Sequence, residues 1–542
     1  MAAPSDFPRH RPEDAADFIA RGYWNGDTLA TFLRGWADAA PDKTAIRAPD
    51  REFTYRETFA AALRLANSLL DLGLRKGDTV AIQLPNLPEF LIAYFGVTMM
   101  GGVLATMHMP YRAGEMEPLL RHGNARAVIA AAPSAAYDAP AAMRGLRCKV
   151  PSLEHVIVAT GPAAPGTLAL HDLIARGSDR DIADPPAARD PCLLCFTSGT
   201  SAAPKGVLRT YETLTANARI FAPEIRLTQD DLVMVAPPFT HVFGLCCVNL
   251  TLRVGATNVL MPLFSPEAYA GTIKRGRPSV VFSAPAHIAA TLKAGLLENR
   301  DDLASIRDVI VAGSVCPPEV AAAFEQRLPH GRVGQLFGMT EVILVMQTPL
   351  DASQAVRHHS TGRCTRGIEA RIAAADGRAL GAGAEGELQL RGYSVFAGYL
   401  DNDAANRVSF TADGWFKTGD LATMDPDGNV VITGRVKDLI NRGGIKINPT
   451  DLENLIAAHD SVVQAAIVPM PDPILGEKAC LFVTLVPGKS LTFEQMTRYL
   501  ADNDVAKMKW PERLEVIAEM PMTPTRKIIK GELARRTAAG SA

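Results

Sequence analysis

The sequence predicts an α/β protein: a large N-terminal domain of layered sheets and helices that includes a small β subdomain, followed by a small C-terminal α+β domain. Three observations carry this. Short apolar runs of strand length alternate with helix-length segments over roughly the first 300 residues, the pattern of a largely parallel sheet. From Glu385 onward the rhythm shifts to Gly- and Asp-punctuated β-like runs. The last hundred or so residues then return to a mixture of helices and strands. The chain is 542 residues long, three or four domains' worth at roughly 150 residues each. The boundary falls at 434/435, giving an N-terminal domain of residues 1–434 and a C-terminal domain of residues 435–542.

The elements follow in order. Val80 to Leu84 and Ala127 to Ala130 are apolar runs of strand length, and Glu115 to Arg121 suits a helix between them. Phe90 to Tyr111 contains no charged residue. It is long enough to cross a bilayer, but Gly101-Gly102 interrupts it and Thr98, Thr106 and His108 dilute it. A buried helix, a glycine turn and a buried strand explain it better. Further strands are expected at Val156 to Val158, Leu232 to Ala236, Val280 to Phe282 and Val309 to Val311. Asp179 to Pro191, rich in Asp, Pro and Ala, reads as an exposed linker. Gly386 to Leu390 and Gly428 to Thr433 belong to the β subdomain. In the C-terminal domain, Asp451 to Ala458 and Phe493 to Asp502 suit helices, and Val463 to Val468 and Ala479 to Val486 suit strands.

Composition excludes several classes. Apolar residues make up 47% of the chain, too many for intrinsic disorder. Lys and Arg number 56 against 58 Asp and Glu, so nothing global draws the chain to nucleic acid or to an anionic membrane. Eight cysteines form no disulfide framework. Cys192 and Cys195 are spaced C-x2-C, but no second pair follows at zinc-ligand distance, so buried strand thiols are the better reading. No secretory signal opens the chain, because Asp6, Arg9, Arg11, Glu13 and Asp14 precede any apolar run. The expectation is a reduced, cytoplasmic protein without a membrane span; a homodimer stays open.

The strongest local signal is Thr197-Ser198-Gly199-Thr200-Ser201-Ala202-Ala203-Pro204-Lys205-Gly206, after the strand-like run Cys192 to Phe196. Hydroxyls, backbone N–H groups and an ammonium in one loop can wrap phosphate oxygens. Pro204 rules out a Walker A loop, and the same residues also suit an ordinary Ser/Thr/Gly turn. Singly, the other candidates are equally ambiguous. Glu341 suits a surface ion pair, Asp420 a turn, Arg435 and Lys437 a solvated strand face, and Lys527 an exposed position.

Their order removes the ambiguity. After the Thr197–Gly206 loop come Gln335-Leu-Phe-Gly338-Met-Thr340-Glu341, Gly386-Glu-Leu, Trp415-Phe-Lys-Thr-Gly-Asp420, Gly434-Arg435-Val-Lys437-Asp438 and Pro521-Met-Thr-Pro-Thr-Arg-Lys527. Gly77-Asp-Thr-Val-Ala-Ile and Leu84-Pro85-Asn86 precede them. The chain resembles the adenylate-forming superfamily, which includes acyl-CoA synthetases, peptide-synthetase adenylation domains and beetle luciferases. The likeness runs from about Leu29 to Leu533.

That resemblance implies a chemistry and a role for each residue. A carboxylate and ATP give acyl-AMP and pyrophosphate, and the acyl group then passes to a thiol. Thr197, Ser198, Gly199, Thr200, Ser201 and Lys205 would hold the β- and γ-phosphates. Glu341 would bind Mg²⁺, and Thr340 would touch the α-phosphate. Gly313 and Ser314 would line the adenine, with Phe337 stacking and Gly338 beside it. Asp420 and Arg435 would meet the ribose. Lys527 would stabilise charge between the carboxylate and the α-phosphate. Lys437 would be the hinge about which the C-terminal domain rotates, and Gly443 and Gly444 would line the pantetheine tunnel. ATP and coenzyme A are the implied co-substrates. Three positions depart from the family pattern: Ala202 and Arg526 stand where glycine is usual, and Phe337 where tyrosine is commoner.

Pro238-Phe-Thr-His241-Val242-Phe243-Gly244 falls on the acyl-pocket motif. His241, Val242 and Phe243 would face the acid, with Gly313 and Gly338 leaving room beside them. Amino-acid-activating relatives carry aspartate here and dihydroxybenzoate-activating relatives asparagine, and this chain has neither. The expected substrate is therefore an uncharged ring-bearing (aryl or alicyclic) or medium-chain acid, and the expected activity an AMP-forming acid:CoA ligase. The alternatives are a standalone adenylation enzyme loading a carrier protein's phosphopantetheine and a catalytically dead adenylate-binding protein.

Overall fold

The computed structural model describes residues 10–135, 137–197, 204–442, 445–523 and 527–539. They divide into two compact units: Met1–Glu369 with Arg391–Phe416, and Ala370–Leu390 with Lys417–Ala542.

The first unit is built on two sheets. In the seven-stranded one the order is Leu168–Ala169, His155–Val158, Ala125–Ala130, Thr79–Gln83, Val103–Thr106, Pro191–Thr197 and Lys205–Thr210. All neighbours are parallel except the last pair. In the nine-stranded sheet, Thr44–Arg47, Thr257–Leu260, Leu232–Val235, Val280–Ser283, Asp308–Val311 and Arg332–Met339 form a parallel centre. A parallel strand is covered on both faces, which is why these segments are continuous apolar runs rather than alternating ones.

The uncharged stretch after Phe90 resolves as expected. All of helix Pro88–Met99 is buried, Gly101 turns the chain at φ +77°, and strand Val103–Thr106 is buried throughout. Among the described residues no helix is long and apolar enough to cross a membrane. The segment from Asp179 is mostly exposed and is tied down by charge. Arg64 donates to both Asp179 carboxylate oxygens at 2.6 and 2.9 Å, and Lys76 pairs with Asp190 at 3.0 Å. The chain thus enters strand Pro191–Thr197 from a fixed position. Cys192 and Cys195 lie on that strand, both buried.

The second unit carries a four-stranded sheet, ending in the antiparallel pair Phe416–Met424 and Val430–Arg435, and a five-stranded sheet. The long hairpin Val462–Asp472 and Gly476–Leu485 centres the latter, with Arg513–Val516 parallel to its second arm. Helices Thr450–Ala457, Phe493–Asp502 and Lys530–Ala539 accompany it. Thr492 and Gln495 form a capping box at the start of Phe493–Asp502. The boundary expected at 434/435 lies inside this unit. Asn448 Nδ2 donates to the Thr433 carbonyl at 2.7 Å, and a Cβ on Gly434 would come 2.5 Å from Asn448 Oδ1. The residues after 435 thus pack on the strand before it.

Candidate active site

Thr197 and Lys205 face each other as the last pair of an antiparallel hairpin, with Phe196 opposite Gly206. The hydroxyl-rich loop is therefore the hairpin's connection, and the backbone ladder holds its two ends together. Ser198, Gly199, Thr200, Ser201 and Ala202 lie outside the described residues. Lys205 Nζ sits 4.7 Å from the centroid of the Tyr399 ring.

Thr340 and Glu341 occupy the turn between strands Arg332–Met339 and Ile343–Gln347, where Met339 pairs with Ile343 and Gly338 with Leu344. Two features shape this turn. A Cβ on Gly338 would lie 2.2 Å from the Ile343 carbonyl oxygen, so only glycine admits the approach. Ile343 itself has φ +57°, a left-handed conformation that costs a β-branched residue energy. The surroundings hold it there. Glu341 is 6% exposed. Its carbonyl accepts from Phe396 N at 2.7 Å and from Arg209 Nη1 at 3.1 Å. Arg209 Nη2 donates to Ser394 O at 2.6 Å. Burial lowers the Arg209 pKa to about 10. The Glu341 carboxylate accepts from Tyr399 Oη at 2.9 Å. The motif order had not singled out Arg209, Phe396 or Tyr399. They come from strands and loops distant in sequence, and no spacing signal marks them.

Gly313 follows strand Asp308–Val311 with φ +95° and open space where a Cβ would lie. Ser314 beside it is exposed. Gln335 ties this loop to the neighbouring strand: its Oε1 accepts from Cys316 N at 3.3 Å and its Nε2 donates to His358 O at 2.6 Å. Phe337 is half-buried on the same strand.

His241 caps helix Val242–Val254, its Nδ1 accepting from Phe243 N at 3.2 Å. Val242 and Phe243 are buried in the helix's first turn, and Phe243 packs edge-on against Phe282 at 6.3 Å between centroids. A Cβ on Gly244 would lie 2.4 Å from Pro238 O, so the glycine lets the helix start against the preceding turn. Asn86 holds that turn from outside, donating to Pro237 O at 3.0 Å and accepting from Phe239 N at 2.8 Å. This gives the Leu84-Pro85-Asn86 motif a physical role. His108 stacks on His241 at 6.4 Å and contacts Thr240 Oγ1 at 3.0 Å. Burial lowers its pKa to about 4, so it is neutral at pH 7.

In the second unit, Asp420 and Arg435 are a cross-strand pair with Arg435 Nε 2.6 Å from Asp420 Oδ1. Gly419, at φ +71°, precedes Asp420. Asp420 N donates to Thr418 Oγ1 at 3.0 Å, which in turn donates to Leu388 O at 2.7 Å. Burial raises the Asp420 carboxyl pKa; the positive charges of Arg435, Lys527 and Lys437 oppose it. Lys527, 107 positions on in sequence, is thus brought into the electrostatic range of Asp420. Its N donates to Thr523 Oγ1 at 3.0 Å, and its carbonyl accepts from Thr523 N at 2.7 Å. Lys437 lies in the 3-10 turn Val436–Asp438, its amine pKa lowered by partial burial and by Arg435. Gly443, Gly444 and Arg526 lie outside the described residues.

The match of the chain to two family models, one in each part of the sequence, identifies an adenylate-forming enzyme. The family model for AMP-binding enzymes matches residues 33–400, and that for the AMP-binding enzyme C-terminal domain matches residues 451–527. The chain belongs to the AMP-binding enzyme family. It is 32% identical to a 2-hydroxy-7-methoxy-5-methyl-1-naphthoate–CoA ligase of Streptomyces carzinostaticus, over 99% of this chain and 98% of the relative. It is 35% identical to a salicyl-AMP ligase / salicyl-S-ArCP synthetase of Mycobacterium tuberculosis, over 98% and 94% respectively. Among solved structures, ATP-bound MatB from Rhodopseudomonas palustris superposes with a TM-score of 0.85 at 26% identity, covering 94% of this chain and 99% of that one.

Proposed function

We propose that this enzyme is an ATP-dependent, AMP-forming ligase that joins an uncharged, ring-bearing carboxylic acid to coenzyme A in the cytoplasm. The observation that carries this is the arrangement around Tyr399: a cation suited to phosphate, Lys205, on its face and a buried carboxylate, Glu341, on its hydroxyl. The two named relatives that act on aromatic acids support the substrate class.

In the first half-reaction a carboxylate oxygen attacks the α-phosphorus, a P–O bond forms, and pyrophosphate leaves. Both reactants are anions, so the residues must offset repulsion. Lys205 and the loop hydroxyls, including Thr197, bind the β- and γ-phosphates, while Thr340 contacts the α-phosphate. Asp420 accepts hydrogen bonds from the ribose hydroxyls, with Arg435 beside it. Lys527 stabilises the charge that develops at the α-phosphate. Glu341 fits magnesium, because a buried carboxylate oxygen is the ligand that ion prefers. Magnesium, when bound, supplies neutralisation of triphosphate charge.

In the second half-reaction a thiolate attacks the acyl carbonyl, a C–S bond forms, and AMP leaves. Although 434/435 lies inside one compact unit in this structure, it is the proposed boundary at which the residues after it turn against the strand before it. Lys437 is the proposed hinge, withdrawing Lys527 and presenting Gly443 and Gly444 to the pantetheine. Val242 and Phe243 give the acid an apolar wall, with Gly313 and Gly338 at its sides. The neutral His108 adds no charge, and an α-ammonium would be buried there without a carboxylate partner.

The second reading is transfer to a carrier protein's phosphopantetheine, favoured by the 35% identical relative whose name includes ArCP synthetase activity. The test is pyrophosphate release with benzoate, salicylate, cyclohexanecarboxylate, hexanoate, acetate and phenylalanine. Thioester formation is then compared with coenzyme A and with a phosphopantetheinylated aryl carrier protein. Ring-bearing acids should lead. Acetate or phenylalanine leading would overturn the pocket reading, and thioester formed only on the carrier protein would favour the second.

A further inference from the structure

Tyr399 lies in the segment Ser394–Leu400, beside strand Lys205–Thr210. It forms an antiparallel bridge with Val207, and Leu400 N donates to Gly206 O at 2.8 Å. Asn406 holds it from the other side. Tyr399 N donates to Asn406 Oδ1 at 2.7 Å, and Asn406 Nδ2 donates to Tyr399 O at 3.0 Å. The side chain is therefore fixed through its backbone on both flanks, and the residue is only 5% exposed. Phe396 packs edge-on against its ring at 4.8 Å.

The fixed ring has two functional ends. Its face lies 4.7 Å from Lys205 Nζ, within cation–π range. Its Oη donates to Glu341 Oε1 at 2.9 Å, a charge-assisted bond to a buried carboxylate. Glu341 is also held by its backbone through Phe396 and Arg209, so the tyrosine sets the carboxylate's orientation rather than the position of its chain.

We propose that Tyr399 is a positioning residue that sets the distance and orientation between the phosphate-binding ammonium of Lys205 and the magnesium-binding carboxylate of Glu341, with its hydroxyl acting on the metal side and its ring on the phosphate side. This rests on the reading of Lys205 and Glu341 given above. Before nucleotide binds, the ring face holds the ammonium close to the loop end. The ring keeps this contact as the triphosphate binds, so the ammonium meets the phosphates already placed. Meanwhile the hydroxyl holds one carboxylate oxygen, Oε1, at 2.9 Å.

The two ends can be separated by equilibrium binding of ATP, measured calorimetrically on the full chain with and without magnesium. Tyr399→Phe keeps the ring and removes the hydroxyl. It should raise the magnesium concentration needed for half-maximal enhancement of ATP binding by about five- to tenfold, the scale of one hydrogen bond to a charged group. ATP binding without magnesium should stay within twofold or so of wild type. Tyr399→Leu removes both ends and should in addition weaken magnesium-free ATP binding by about threefold or more, the scale of one cation–π contact. In a Lys205→Met background, that second effect should vanish. Tyr399→Met, which fills buried space flexibly, replaces the leucine variant if that one does not fold.

A wild-type magnesium dependence in Tyr399→Phe would overturn the hydroxyl's role. A magnesium-free affinity in the ring-deleted variant equal to that of Tyr399→Phe would overturn the ring's. Wild-type protein that binds no ATP under either condition would instead overturn the ligase reading itself, and the proposal with it.

Discussion

Asp420 and Arg435 oppose each other on adjacent antiparallel strands, Arg435 Nε standing 2.6 Å from Asp420 Oδ1. The aspartate is nearly closed off from solvent while the arginine is half in it, with side chains 12% and 43% exposed. The pair's use is to point the carboxylate, while its positive neighbours oppose the burial that raises its pKa. Asparagine keeps the aspartate's shape, so the carboxylate's charge can be removed without opening a cavity. Asp420→Asn should therefore raise KM for ATP by about tenfold or more, the scale of hydrogen bonds to a charged acceptor, and barely move the melting temperature. A variant with an unchanged KM would remove Asp420 from the nucleotide site.

Lys527 and Lys437 should separate the half-reactions. Lys527→Ala should slow acyl-AMP formation by at least about 10²-fold, the scale of losing one preorganised donor, while sparing thioester formation from supplied acyl-AMP. Lys437→Pro, with φ locked, should show the reverse pattern. Equal loss of both steps in either variant would contradict the two-orientation mechanism.

Gly338→Ala tests the turn that carries Glu341. The added methyl would meet the Ile343 carbonyl at 2.2 Å, and both partners are backbone. The expected cost is about 1–3 kcal/mol or a displaced turn, seen as a lower denaturation midpoint together with lost pyrophosphate release. Full stability with full activity would mean that the hairpin relaxes freely.

Two half-buried histidines should make the fold acid-sensitive. His10, against the Val395 carbonyl at 2.7 Å, and His108 are both lowered by burial from 6.5 to about 4. A depressed folded-state pKa favours the native state above pH 6.5, and that advantage is lost progressively as pH falls toward 4. Between pH 7 and about 5, wild type should lose more denaturant resistance than a His10→Gln/His108→Gln double variant. Parallel slopes for the two proteins would show that neither imidazole contributes.

Much of this enzyme was legible in its sequence because the relevant signals are local. Apolar runs such as Val80 to Leu84 and Val280 to Phe282 announce parallel strands, since burial on both faces removes any alternation. The uncharged stretch from Phe90 resolved into helix, turn and strand because Gly101 must adopt a positive φ. The ordered motifs single out Lys205, Glu341, Asp420 and Lys527 as candidates, because each motif surrounds its own candidate residue.

What the tertiary structure alone decided is who holds those residues. Tyr399 reaches Glu341 across 58 positions, Arg209 reaches it across 132, and His108 reaches Thr240 across 132. Chain order carries no trace of these pairings, because each is made by sheet register and strand neighbourhood rather than by spacing. The same holds for Gly338. Within its motif it looks like a glycine that makes room for a ligand, and in the fold it is required by the carbonyl of Ile343. Sequence determined which chemical groups the protein brings to its reaction. Packing determined their orientation and protonation, since a side chain's direction and desolvation depend on neighbours that only folding supplies.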